Sequence, residues 1–125
     1  VPFICGSESG FSVTPYGDWH YKELEVFVDK LKMTPLEAIT CATKNAAKAM
    51  KKENILGLIS PGYKADLLVI DGDPSKDVSI LGKKELIKYV FLDGKEVDLT
   101  PAPERIKDPD GWRISSYSGK ILKKK

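Results

Sequence analysis

Histidine is almost missing from this sequence, and its scarcity narrows the available chemistry more than any other feature. His20 is the only one in 125 residues. A catalytic zinc centre normally takes three protein ligands, so His20 has no histidine partner with which to hold a metal. Cysteine is scarce as well. Cys5 and Cys41 stand far apart, with no spacing of the kind that metal or redox motifs use. Both are expected to be buried thiols, and a bond between them would depend on geometry that sequence does not supply.

Neither sign of charge dominates, with 20 Lys and Arg against 18 Asp and Glu for a net charge of +2. That balance lacks the basic excess needed to neutralise a phosphate backbone, so nucleic acid is not an expected partner. No apolar run approaches the length of a membrane span, and no charged stretch leads into an apolar one as in a secretory signal. A soluble, cytoplasmic protein with no membrane partner is the expectation. No segment repeats, and the length suits one ordinary domain. The chain opens on Val1 and an apolar run, with no capping or linker residues ahead of it, as a truncated reading frame or a processed product would.

What is present falls into three stretches. Val1–Cys5 is a short apolar run ended by Gly6 and Gly10, consistent with a buried parallel strand and a following loop. Leu24, Phe27, Val28 and Leu31 recur at helical spacing and predict a helix from about Trp19 to Lys32. A second helix has a sharper start: Thr34 as cap, Pro35 at the first helical position, and Glu37 completing a Thr-x-x-Glu box. Leu36, Ile39, Thr43, Ala46, Ala47 and Met50 are expected along one side, with the alanines allowing close packing. The end is expected near Lys51 or Lys52, where cations complement the helix dipole.

After Asn54 the period changes. Leu58-Ile59, Asp66–Ile70 and Ile87–Leu92 read as short strands separated by Pro61-Gly62 and Asp71-Gly72-Asp73-Pro74. Asp93-Gly94 predicts a two-residue type I′ hairpin turn. From Thr100 onward, proline, glycine and charge predict an extended tail, with Trp112, Ile114 and Tyr117 as its apolar anchors. Lys120 and Lys123–Lys125 give that tail its basic end, expected to be solvated.

The loop Gly6-Ser7-Glu8-Ser9-Gly10 carries the candidate chemistry. Glu8 could act as a proton acceptor or be a loop carboxylate satisfied by hydrogen bonds or solvent, and Ser7, Ser9 and His20 are candidate substrate contacts. A serine-hydrolase elbow, Gly-x-Ser-x-Gly, fails on register: Glu8 lies between the outer glycines, and Ser9 would need glycines where Ser7 and Phe11 stand. His20 also comes too early for the usual order, with only Asp18 between it and Ser9. Tyr16 and Trp19, beside the turn before the helix, could pack or line a cleft. Asp66, at a strand entrance, is expected to accept backbone N–H groups.

Pro35-Leu36-Glu37-Ala38, Asn45-Ala46-Ala47, Gly57, Pro61-Gly62, Ala65-Asp66 and Leu92-Asp93-Gly94 follow one another in an order that resembles the C-terminal end of the metal-dependent amidohydrolase superfamily. Within it, the chain looks similar to the branch of imidazolonepropionase-like enzymes and prolidase-related dipeptidases. The resemblance implies an α/β fold: the C-terminal portion of a (β/α)8 barrel followed by part of a small β-sandwich. A whole barrel runs to roughly 250 residues, about twice this chain. Residues 1–53 would be the last βα unit and the following helix, 54–99 part of the β domain, and 100–125 the tail.

The resemblance also implies hydrolysis of C–N bonds in a small molecule or dipeptide, with one or two divalent metals, zinc foremost. The family's last barrel strand ends in Gly-x-Asp, whose aspartate binds metal and handles the proton of the attacking water. The resemblance makes Glu8, at the matching position, the candidate catalytic and metal-binding carboxylate, with the charge kept but one methylene added. A misplacement on the order of 1 Å can cost ~100-fold in rate. The His-x-His pair and other ligands would come from outside this chain, leaving it inactive alone. The competing expectation is a noncatalytic binding or assembly module, homo-oligomeric or joined through exposed barrel edges.

Overall fold

The computed structural model describes residues 2–9 and 19–100. Tyr16, Asp18 and the tail carrying Trp112, Ile114, Tyr117 and the lysines Lys120 and Lys123–Lys125 lie outside the described residues. Helix α1 spans His20–Asp29. It buries Leu24 and rests Phe27 and Val28 against the same core. Leu31, expected on that face, is 46% exposed because the helix has already ended. Lys32 turns the chain into the left-handed region at φ 58°.

Helix α2, Pro35–Thr40, starts as its capping residues dictate. Thr34 Oγ1 accepts the Glu37 N–H at 3.3 Å, and the Glu37 carboxylate accepts the Thr34 N–H at 2.8 Å. Each residue thus satisfies an amide that the first helical turn leaves without a partner. The Thr34 N–H and hydroxyl, in that order, hold the Glu37 carboxyl below its ordinary value. Beyond Thr40 the backbone widens into a π turn, Cys41–Asn45, and narrows again into α3, Ala46–Ala49. Thr40 and Thr43 send their hydroxyls back to Leu36 O and Ile39 O at 2.8 Å, a bond that bends helices.

This helix corrects the single apolar face expected from sequence. Leu36 and Met50 are each 59% exposed, whereas Ala38, Cys41 and Ala47 are buried. The helix is covered on two sides, and beyond Thr40 the wide turn also breaks the 3.6-residue period. Ala38 faces Leu24 and Val78, while Ala47 faces Gly57, where an added Cβ would stand 2.8 Å from Ala47 Cβ and from Thr43 O. At φ 86° as well, that position suits glycine alone. The helix ends as expected: Lys51 N–H reaches Lys48 O at 3.0 Å and Lys52 N–H reaches Ala47 O at 2.8 Å, the Schellman arrangement.

Two expected strands do not form. Val1 lies outside the described residues, and residues 2–8 have no strand geometry; their backbone bonds go to side chains of the helices instead. Leu58-Ile59 sits among bends with Ile59 90% exposed, two residues being too few to build a ladder. The other strands hold. β1, Leu67–Ile70, pairs antiparallel with β2, Ile87–Leu92, which pairs with β3, Lys95–Glu96. Asp93 and Gly94 have φ of 52° and 76°, the two positive angles of the predicted I′ turn.

Asp66 does what its position at a strand entrance suggested: its Oδ1 accepts the Asp93 N–H at 2.7 Å. Gly94 N–H reaches Ala65 O at 3.0 Å beside it. Between the halves run two 3-10 turns, Val78–Gly82 and Lys84–Leu86, that the periodicity did not announce. The first brings Val78 between α1 and α2, closing a core of Leu24, Ala38 and Val78. The described residues therefore combine helices with a three-stranded antiparallel sheet, and no parallel barrel strand is among them.

Candidate functional site

The segment before α1 is positioned by the helices rather than by a sheet. The Asn45 amide, on the π turn, donates to Phe3 O at 3.0 Å. The Phe3 ring meets Phe27 edge-on with centroids 6.3 Å apart. Three residues on, the Glu23 carboxylate of α1 accepts the Gly6 N–H at 2.7 Å. Between these anchors Cys5 packs on the core. Burial pushes the Cys5 thiol up to about 11, helped by the Glu23 carboxylate and by Cys41.

The candidate residues follow at once. Ser7 Oγ lies 2.8 Å from Ser9 Oγ and 3.1 Å from His20 Nδ1, the first residue of α1. Ser7, Ser9 and His20 are thus brought into one hydrogen-bonded group. Glu8 sits between the two serines with φ 45°. A left-handed backbone at a non-glycine residue costs on the order of 1 kcal/mol, and such conformations cluster at functional sites. Trp19, at the N-cap of α1, is 36% exposed.

Glu23 and Asn45 carry no local signature. Their partners lie 17 and 42 residues away in sequence, so neither motif nor period could single them out as anchors; Asn45 stood out only as part of a resemblance. As for a metal, no group of three or more His, Cys, Asp or Glu comes together among the described residues. The donors present do not make a metal centre by themselves.

The profile of the amidohydrolase family matches residues 15–97. The chain belongs to the amidohydrolase family. That match includes His20, Glu23 and Asn45 and starts after Glu8. Among similar proteins, ochratoxinase of Aspergillus niger is 34% identical over 74 residues, 58% of this chain and 15% of that protein. Imidazolonepropionase of Picrophilus torridus is 35% identical over 60 residues, 48% of this chain and 15% of that one. A crystal structure described as a prolidase from Bifidobacterium longum superposes with TM-score 0.69 and 30% identity, covering 86% of this chain and 25% of that one. This amidohydrolase chain therefore matches about 15% of the length of these curated relatives. Amidohydrolases act on carbon–nitrogen bonds, in general with a metal.

Proposed function

We propose that the chain is the C-terminal portion of a metal-dependent amidohydrolase that cleaves an amide, cyclic amide or dipeptide C–N bond. In this reading residues 1–53 close the (β/α)8 barrel, 54–99 complete a small β-sandwich, and 100–125 form the tail. The observation that carries it is the family match together with the strained Glu8 held between two hydrogen-bonded serines. Glu8 accepts and returns the proton of the attacking water at its carboxylate. Ser7, Ser9 and His20 orient the substrate, and Glu23 and Asn45 hold the segment that carries them. The metal, zinc in this proposal, supplies the Lewis acidity that makes water nucleophilic near neutral pH. Its remaining ligands come from the part of the relatives that this chain does not span, so the chain alone is inactive.

The test uses the complete reading frame containing this chain, assayed with zinc on a panel of dipeptides and cyclic amides. Hydrolysis of at least one class, with Glu8→Gln lowering kcat ~100-fold or more, supports the proposal. Activity retained within threefold removes Glu8 from the chemistry, and no C–N hydrolysis by a folded, metal-loaded protein removes the function.

A second reading, a noncatalytic module that associates through apolar surface, is favoured by a specific observation. Phe3, Ile4, Leu36 and Met50, all on the segment or on the helix beside it, are about half exposed or more. A folded, metal-free homo-oligomer of this chain that persists without zinc would favour it.

A further inference from the structure

The two thiols that the proposed chemistry leaves unused lie on backbones that Asn45 ties together. Asn45 sets the alignment. Its Nδ2 donates to Phe3 O at 3.0 Å and lies 3.9 Å from Cys41 Sγ, one turn earlier on its own helix. From Phe3 the chain heads toward α1, where Glu23 holds the Gly6 N–H. Between those anchors Cys5 packs against the core of Leu24, Ala38 and Val78. Ala38 is in turn the residue one helical turn before Cys41.

Two residues of chain reach at most about 7 Å, so Cys5 stays close to the turn that carries Cys41, near enough for Cys41 to act on the Cys5 thiol. Both thiols are free, Cys41 buried and Cys5 half-buried, and the chain has no third cysteine to compete.

We propose that Cys5 and Cys41 form a reversible disulfide that staples the segment bearing Ser7, Glu8 and Ser9 to the α2–α3 helix under oxidising conditions. The co-reactant is a small-molecule disulfide of the glutathione class. Cys5, the more accessible thiol, gives its proton to solvent, a step that its raised value makes slow at neutral pH and faster as pH rises. Its thiolate attacks one sulfur of the oxidant, forming a mixed disulfide and expelling a thiolate. Cys41 then loses its proton and attacks Cys5 Sγ, forming the internal bond and expelling the second thiolate. Two protein thiols lose two protons and two electrons, and the oxidant becomes two thiols. In a reducing compartment such a bond is transient and responsive rather than structural. The staple stands apart from the hydrolase reading, since it requires no metal and no substrate.

The experiment treats the full chain with oxidised glutathione, blocks remaining thiols with N-ethylmaleimide, and maps tryptic peptides without reduction. The expected product is peptide 1–22 joined to peptide 33–44, with the intact mass lower by about 2 Da for the two hydrogens lost. Its yield should be at least about tenfold higher from the folded chain than from chain unfolded in urea, because the fold raises the local thiol concentration. Cys5→Ser and Cys41→Ser should each abolish the linked peptide. Equal yields with and without urea, mixed disulfides alone, or a bond between two copies of the chain would each overturn the staple.

Discussion

The helical half and the sheet half of this protein are held in different ways. Around α1 and α2, a small core of Leu24, Ala38 and Val78 is closed from three directions. In the sheet, by contrast, no strand residue is fully buried, and Leu68, Val69, Tyr89 and Leu92 are between 41% and 64% exposed. The sheet depends on its ladder, on the I′ turn, and on the Asp66 clasp across the hairpin. Burial stabilises the first half, and pairing the second. A stretch of local sequence specifies pairing and turns well, but says little about which distant residues close a core.

The difference can be broken most forcefully where the halves meet. Gly57→Ala must put a Cβ against Thr43 O in a left-handed backbone, and overpacking plus strain should cost about 3–4 kcal/mol. A urea midpoint unchanged from the parent would show that the junction gives way freely. Within the helical half, Leu24→Ala should cost about 3 kcal/mol, while Leu68→Ala, on a strand residue 47% exposed, should cost under about 1 kcal/mol. Equal losses in the two variants would erase the contrast between burial and pairing. Thr34→Ala removes the cap of α2 and should lose about 1 kcal/mol, read as faster amide exchange at Glu37 and Ala38.

A pH effect acts on the helical half as well. The Cys5 thiol stands at about 11 against an ordinary 9.0, so folding favours its protonated form. That contribution is complete below pH 9 and is lost as pH rises from 9 to 11. The urea midpoint should fall across that window, and Cys5→Ala should flatten the fall. Glu37 acts in the opposite sense. Its lowered value means that support for α2 is present above the ordinary carboxylate range and fades as acid protonates it, measurable as loss of helicity below pH 4.

How much was legible in sequence follows the same division. The Thr34–Glu37 box, the end of the helix at Lys51 and the Asp93-Gly94 turn all join residues close in sequence, and each could be read directly; Asp66 was legible as an acceptor of a backbone N–H, but not its partner Asp93, 27 residues away. The π turn could not, because nothing in Cys41–Asn45 announces an extra residue in the turn, and the expected face had already failed ahead of it, where Leu36 is exposed and Ala38 buried. The strand expected over Val1–Cys5 rested on apolar character alone. That character turned out to serve packing of Phe3 and Cys5 against the helices. At the candidate site, Ser7, Ser9 and His20 were recognisable as polar residues in a loop, but their union depends on Glu23 and Asn45, which act across long stretches of chain.

The alanines of the α2–α3 helix have a mechanical consequence. Gripped at Ala38 on one side and at Ala47 on the other, this helix has no rotamers at those two contacts with which to absorb a displacement. It behaves as a strut without slack. Any shift imposed at Gly57 has to be carried as rigid travel of the whole rod, and Asn45 rides on that rod with its grip on Phe3. A disturbance in the sheet half would therefore arrive at the segment bearing Glu8 as movement rather than as local softening.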